Sequence, residues 1–255
     1  MKRMESSFVN KKLFTLISFM MGIMVSLGGC RSITGSITQI QGTGEMVSRP
    51  YTTDSFNSIN ISGSFNVTYR HSGSTSVNVE MQQNLFAYID VSVRDDTLYV
   101  GFGDTNINTI HDNIPRIYIY APYLEAARFS GNINTMGWDT IRTSGFRLNA
   151  SGSGNITIPM QVSNLNLTTS GSTNLTLSGS ATIARIYSSG SSNIFAGDLR
   201  KFNTYVQLTG NADVLLGTSD GLSVDVNNNA RLRYKWAGVL SKRISGSGLV
   251  YPYEY

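Results

Sequence analysis

Three glycine-rich phrases in the second half of the chain have the composition of loops that do chemistry: SGSGNITIP at 151–159, SGSTNLTLS at 170–178 and SGSSNIFAG at 189–197. Such loops can hold a phosphate, coordinate calcium or turn the chain. A phosphate loop opens onto a helix N-terminus, whereas these phrases open onto residues patterned as strands. A calcium-binding β-roll needs a nine-residue repeat with aspartate at a fixed place, and this repeat is longer and carries asparagine. The phrases therefore predict turns and no cofactor.

The acids and histidines are the candidates for catalysis or metal binding. Four acids lie in the repeats: Asp198, Asp213, Asp220 and Asp225. Polysaccharide lyases and hydrolases need carboxylates that converge on one groove, but these acids lie at different distances from the preceding repeat glycine. His71 and His111 have no second nitrogen or sulfur ligand nearby in the sequence. We predict no catalytic residue, no metal site and no enzymatic activity, with a polysaccharide-active enzyme as the alternative.

Asparagine occupies the same place in each of the three phrases. Asn155, Asn174 and Asn193 each precede an apolar residue by one position. They predict a polar ladder, which either grips a glycan through its amides or stabilises local backbone, since asparagine bonds well to nearby peptide groups.

Cations alternate with apolar residues near the end of the chain. Arg231, Arg233 and Lys235 are separated by Leu232 and Tyr234 and followed by Trp236. The alternation predicts three cations on one outward face, which could bind an anionic glycan or lipid phosphate. The other interpretation is protection of the last strands against edge pairing. The tail tyrosines Tyr251, Tyr253 and Tyr255 similarly either cap the last strands or offer sugars a stacking platform.

The elements that carry these residues are strands in a repeat. Apolar and polar residues alternate through the body, which is typical of half-buried strands. In the second half, apolar residues recur every 18–20 positions in columns. The first column is Ile156, Leu175, Ile194, Val214, Leu232 and Val250, and another is Leu167, Ile186, Val206, Val224 and Ile244. A short repeat that cannot bury its own apolar face predicts a stacked solenoid: an all-β, single-stranded parallel β-helix with rungs of about 18–21 residues.

The first column follows a set of small turn residues by four positions. These residues are Gly152, Gly171, Gly190, Gly210, Asn228 and Gly246. We expect them to turn the corners of the rungs. Asparagine at 228 indicates a left-handed backbone position, which glycine and asparagine tolerate best. The register loosens before Gly152, so residues 47–127 are expected to form a less regular β part and residues 128–255 the regular rungs.

The N-terminus has the pattern of an export signal. Lys2, Arg3, Lys11 and Lys12 precede a charge-free apolar run at 13–27, and Leu27-Gly28-Gly29-Cys30 resembles a bacterial lipobox. We predict a lipoprotein signal peptide at 1–29, acylation of Cys30, and a flexible spacer at 30–46. Since Cys30 is the one cysteine, the mature domain has no disulfide.

The charge balance argues against nucleic acid as a partner. The chain has 20 Lys and Arg and 16 Asp and Glu, of which four cations and one acid lie in the predicted signal. The rest of the chain therefore has a net charge of 16 minus 15, or +1. Nucleic-acid affinity comes mainly from many cations that neutralise phosphates.

The order of motifs resembles a known family. The stretch YTTDSFNSINISGSFNVTYRHSGSTSVNVEMQQNLFAYIDVSVRDDTLYVGF, followed by RIYIYAPYLEAARFSGN and the SGSGN-type phrases, is similar to head GIN domain proteins over about residues 42–250. This resemblance implies a β-helical fold and a lipoprotein of the bacterial envelope, in bacteria resembling Bacteroidetes. Residues 31–34, Arg-Ser-Ile-Thr, lack the acidic run that such bacteria use for surface export, which favours the periplasmic side of the outer membrane.

The sequence thus predicts a non-enzymatic envelope lipoprotein. The lipid on Cys30 would attach it to the membrane, and its β-helix would bind a polysaccharide or a protein. A structural or sensory partner of an envelope complex is the remaining alternative.

Overall fold

The computed structural model describes residues 40–103, 107–108 and 113–253. They form sixteen strands and a short 3-10 helix at Gln83–Ala87. Within them, no helix is long and apolar enough to cross a membrane. The strands are β1 (Ile40–Gln41), β2 (Met46–Tyr51), β3 (Ser58–His71), β4 (Ser76–Gln82), β5 (Asp90–Arg94), β6 (Thr97–Gly101), β7 (Ile107–Asn108), β8 (Arg116–Ala121), β9 (Ala126–Thr135), β10 (Ile141–Thr169), β11 (Ser172–Ser188), β12 (Asn193–Ala196), β13 (Leu199–Leu208), β14 (Asp213–Val226), β15 (Arg231–Ile244) and β16 (Leu249–Pro252).

Alternating burial explains why the body folds as strands. Along β10, Ile156, Ile158 and Leu167 are at most 1% exposed, and the residues next to them in sequence face outward or are only partly buried. Each strand therefore buries one face, and each rung covers the apolar face of the next. The predicted parallel β-helix is confirmed, with about seven turns and a less regular N-terminal β part in the described residues.

The first apolar column has the predicted register. Every successive pair of its residues is aligned between neighbouring parallel strands: Ile156 with Leu175, Leu175 with Ile194, Ile194 with Val214, Val214 with Leu232, and Leu232 with Val250. The spacing of apolar residues thus fixes the stacking of the rungs along this face.

In the second predicted column, which runs from Leu167 to Ile244, the last step is out of register by two residues. Val224 pairs with Lys242, and Ile244 pairs with Val226. The register between β14 and β15 is constant along its length, but the residue aligned with the buried Val224 is an exposed lysine. Among the described residues, no strand pairs with this part of β15 on its other side, so an apolar residue is not required there.

The N-terminal part contains a rung that the sequence assigns to the irregular region. β3 pairs in parallel with β9 on one side, and with β6 and β8 on the other. Gly63 of β3 is aligned with Gly131, which is aligned with Gly152. The glycine register therefore continues through this region. Irregularity comes from the antiparallel pairs β2–β4, β4–β8 and β5–β6.

Part of the segment assigned to the spacer pairs with the folded body. β1 pairs in parallel with β7. The Thr43 backbone N–H donates to Oδ1 of Asn84 at 2.9 Å, and Nδ2 of Asn84 donates to the Gln41 carbonyl at 2.8 Å. These contacts hold residues 41 and 43, within the segment assigned to the spacer, against Asn84. The predicted signal peptide at 1–29 and Cys30 lie outside the described residues.

The glycine column is required by close approach of the rungs. A Cβ atom added to Gly152 would lie 2.0 Å from the carbonyl oxygen of Gly131, and one added to Gly171 would lie 2.0 Å from that of Gly152. The same distance from Gly190 to the Gly171 oxygen is 2.2 Å. Since no side chain fits there, these glycines do more than turn the chain.

Later in the column, backbone conformation adds a second requirement. Gly210 has a φ of 94°, Asn228 of 61° and Gly246 of 70°. These values lie in the left-handed region, which asparagine tolerates better than other side chains. Asn228 therefore has the left-handed backbone conformation that an asparagine in this column indicates.

Candidate functional site

The asparagines form a hydrogen-bonded ladder on the outer face of the rungs. Nδ2 of Asn174 donates to Oδ1 of Asn155 at 3.0 Å, and Nδ2 of Asn193 donates to Oδ1 of Asn174 at 2.9 Å. Asn134 extends the ladder, since its Oδ1 accepts from the backbone N–H and Nδ2 of Asn155. The amides satisfy one another along the stack, which favours the structural interpretation of these residues.

Replacing the middle amide tests this interpretation. Asn174→Ala removes the hydrogen bonds to Asn155 and Asn193, so we expect the free energy of unfolding to fall by about 1 kcal/mol. The measurement is urea denaturation followed by circular dichroism. The control is Asn166→Ala on β10, because Asn166 also points outward and its side chain makes no hydrogen bond within the described residues. Equal losses in the two variants would argue against the ladder.

The three predicted cations share a strand, and two of them are ion-paired with the same carboxylate. Nη2 of Arg233 lies 2.9 Å from Oδ1 of Asp213, and Nη1 of Arg231 lies 3.8 Å from its Oδ2. Asp213 is also aligned with Asn193, so the ion pairs continue the asparagine ladder. Lys235 is exposed further along β15. Asn155, Asn174, Asn193, Arg231 and Arg233 thus lie along one outward face, where Asp213 holds the two arginines.

A groove on another outer face was missed by the sequence analysis. Tyr187 on β11 and Tyr205 on β13 are 42% and 48% exposed. Together with residues of β14 and β15 they line an open groove of about 340 Å³. The guanidinium carbon of Arg185 lies 5.5 Å from the centre of the Tyr205 ring. The signal in the sequence is tyrosine at outward positions, where the neighbouring rungs carry polar residues. We call this the tyrosine groove.

The acids of the repeats serve separate local contacts. Asp213 holds the two arginines, whereas Oδ1 of Asp225 accepts from Nδ2 of Asn227 at 3.2 Å. The two carboxylates stand at opposite ends of β14. In the described part of the chain, no group of three or more His, Cys, Asp or Glu side chains could hold a metal ion.

The backbone N–H of His71 and the side chain of Arg70 both contact the carboxylate of Asp139. The His71 N–H donates to Oδ2 of Asp139 at 2.9 Å, and Nη1 of Arg70 lies 3.0 Å from Oδ1. The His71 N–H, followed by Arg70, lowers the pKa of Asp139. Asp139 thus joins the end of β3 to the segment before β10. His111 lies outside the described residues.

A lysine is buried in the core of the solenoid. Lys201 on β13 is 2% exposed, and its Nζ donates to the carbonyls of Ala196 at 2.9 Å and Leu199 at 2.8 Å. Burial lowers the pKa of Lys201 from 10.5 to about 7. The amine is enclosed, so it has no access to a large ligand. Its inward position follows from its alignment with Ala181 and Ser219 in the rungs on either side.

Comparison with known proteins gives one family. The family model described as "Putative auto-transporter adhesin, head GIN domain" matches residues 55–236. No curated protein matches the chain at a significant level.

Three solved structures have a similar fold. A "putative adhesin" from Bacteroides fragilis NCTC 9343 is 25% identical with a TM-score of 0.76, and the match covers 84% of this chain and 100% of that one. A "putative adhesin" from Parabacteroides distasonis ATCC 8503 is 23% identical with a TM-score of 0.60, covering 84% and 100%. A "putative lipid binding protein" from the same organism is 19% identical with a TM-score of 0.62, covering 85% and 100%.

Proposed function

The chain belongs to the head GIN domain family, and on that premise we propose that it is a lipid-anchored protein of the bacterial envelope whose β-helix binds a polysaccharide or protein without transforming it. The family and its adhesin neighbours support an adhesin-like binding domain at the cell envelope or surface. Anchoring through Cys30 and a position on the periplasmic side of the outer membrane are the finer parts of this proposal.

The observation that carries the proposal is the arrangement of polar groups in columns along the outer faces. Tyr187 and Tyr205 stand on two neighbouring rungs of one outer face, and Gln207, Asp225 and Arg243 continue the column of Tyr187. Extended columns suit a polymer or a flat protein surface, whereas catalysis needs groups that converge on one bond. The dispersed positions of Asp213 and Asp225 support binding in preference to hydrolysis.

Binding is tested with the full-length mature protein against envelope polysaccharides and envelope proteins. We expect retention of at least one partner without shortening of any glycan. Degradation of a polysaccharide that is abolished by Asp213→Asn or Asp225→Asn would instead support the enzyme alternative.

Anchoring is tested separately at Cys30. Cys30→Ser removes the thiol that would carry the lipid, so we expect the acyl mass on the N-terminal peptide to disappear and the protein to leave the detergent phase. Two or more acyl chains, at about 0.8 kcal/mol per buried methylene, account for the retention of the unchanged protein. Absence of an acyl mass on the unchanged protein, with the same fractionation for both, would contradict lipidation.

A further inference from the structure

We propose that the tyrosine groove binds an acidic polysaccharide, that is, a sugar chain carrying carboxylate or sulfate groups. This inference rests on the proposed binding function and names the class of ligand and its site. The residues that carry it are Tyr187, Tyr205, Gln207, Asp225, Lys242 and Arg243.

The register places these side chains along the solenoid axis. Tyr187 is aligned with Gln207, Gln207 with Asp225, and Asp225 with Arg243. Neighbouring strands lie about 4.8 Å apart, so the column from Tyr187 to Arg243 extends over roughly 14 Å. Tyr205 stands in the adjacent outward column, aligned with Arg185 and Ser223. A linear polymer lying along the axis would meet one functional group on each rung.

The two tyrosines give the groove its affinity for sugar rings. Both side chains stand out from the sheet with nearly half of their surface exposed. A tyrosine ring packs against an apolar face, while its hydroxyl can hydrogen-bond at the wet edge. Gln207 offers an amide donor and acceptor, and Asp225 offers acceptors, for the hydroxyl groups of a sugar. This combination of stacking and polar groups matches the alternating apolar and polar surfaces of a pyranose.

The charges at the groove select an anionic chain. Lys242 and Arg243 line it, and Arg185 lies over the Tyr205 ring, whereas Asp225 is the one acid among the lining residues. Three cations against one acid leave a local excess of two positive charges. On the asparagine face, Asp213 is ion-paired with both Arg231 and Arg233, whereas the described residues show no ion pair to Lys242 or Arg243. An arginine fork or a lysine ammonium forms charge-assisted hydrogen bonds with carboxylate and sulfate.

The groove is open, which suits a polymer better than a small ligand. Its volume is about 340 Å³, at the lower end of the range for small-molecule pockets. A short sugar would leave much of its surface in water and bind weakly. A longer chain would continue past the groove along the outer columns, so affinity should rise with chain length.

The experiment measures binding of the full-length mature protein to dextran sulfate, polygalacturonate and unmodified dextran by isothermal titration calorimetry. Dextran and dextran sulfate share a backbone and differ in charge. We expect binding of the two acidic polymers to be at least about tenfold tighter than that of dextran, and to weaken with added salt.

Matched variants locate the site. Tyr205→Ala should weaken binding about tenfold, whereas Tyr120→Ala, an exposed tyrosine on β8, should leave it unchanged. Arg243→Gln should weaken binding about fivefold and reduce the salt dependence, whereas Arg147→Gln, an exposed arginine on β10, should not. Circular dichroism before titration checks that each variant is folded.

Several results would overturn the inference. Equal affinity for dextran and dextran sulfate would remove the charge argument, and equal effects of Tyr205→Ala and Tyr120→Ala would remove the site. Loss of an envelope-protein partner in Tyr205→Ala, with no polysaccharide bound, would make the groove a protein surface. If neutral glycans or proteins bind elsewhere, the inference fails while the proposed function stands. If no polymer or envelope protein binds, both fail.

Discussion

Gly152→Ala is expected to lower the free energy of unfolding by about 3 kcal/mol, and to do so without removing any side-chain contact. The added Cβ would lie 2.0 Å from the Gly131 oxygen and 2.5 Å from the Gly131 nitrogen. Both are backbone atoms of the neighbouring rung, so neither can rotate away. The two rungs would have to separate, which weakens the hydrogen bonds between β9 and β10 on either side.

The control for this prediction lies on the same strand. Gly145 is also in β10, but a Cβ added there meets no heavy atom within 4 Å. Gly145→Ala should therefore change stability by no more than about 0.5 kcal/mol. Guanidinium denaturation of both variants, monitored by circular dichroism, makes the comparison. Similar midpoints for the two variants would mean that the rungs are free to separate at Gly152 at little cost.

The repeat could be predicted because burial imposes it on every rung. Ile156, Leu175 and Ile194 occupy one inward column, and each must be apolar because it is covered above and below. That constraint ends in the part of β15 that no described strand covers, where Lys242 is aligned with Val224 in place of an apolar residue. The rung formed by β3 escaped prediction for another reason. It is separated from β9 by the intervening β4–β8, so spacing along the chain does not show their alignment.

The candidate site was predicted only where identical residues repeat. Asn155, Asn174 and Asn193 are evenly spaced, but Asn134 lies 21 residues before Asn155 and so falls outside that spacing. The tyrosine groove combines different residue types from several rungs. Such a mixture has no periodic signal, and only the register between strands brings Tyr187 and Arg243 into one column.

Lys201 was missed because its column is otherwise small or apolar. Its rung neighbours are Ala181 and Ser219, and Ser219 pairs its hydroxyl with that of Thr204 at 2.9 Å. A neutral amine has two N–H donors, which match the carbonyls of Ala196 and Leu199. The ammonium form has a third donor and a charge to be stabilised in the core, so the folded chain favours the neutral form.

This preference makes stability depend on pH. The folded-state pKa of Lys201 is about 7, below the usual 10.5. Between those values the unfolded chain binds more protons than the folded chain, so stability is greatest above pH 10.5 and falls as the pH falls towards 7. Below pH 7 both forms are protonated and this dependence ends. We expect the free energy of unfolding to rise by about 3 kcal/mol from pH 7 to pH 9.5.

Lys201→Met should abolish that rise, because methionine has similar length and no titrating group. Lys242→Met, at an exposed lysine, should keep it. Urea denaturation at pH 7, 8 and 9.5 measures the slope, which is informative even if losing the hydrogen bonds to two carbonyls lowers overall stability. Burial raises the pKa of Tyr51, Tyr69 and Tyr118, so these tyrosines remain protonated over this range. Identical slopes for the unchanged protein and Lys201→Met would show that the buried lysine does not control the pH dependence.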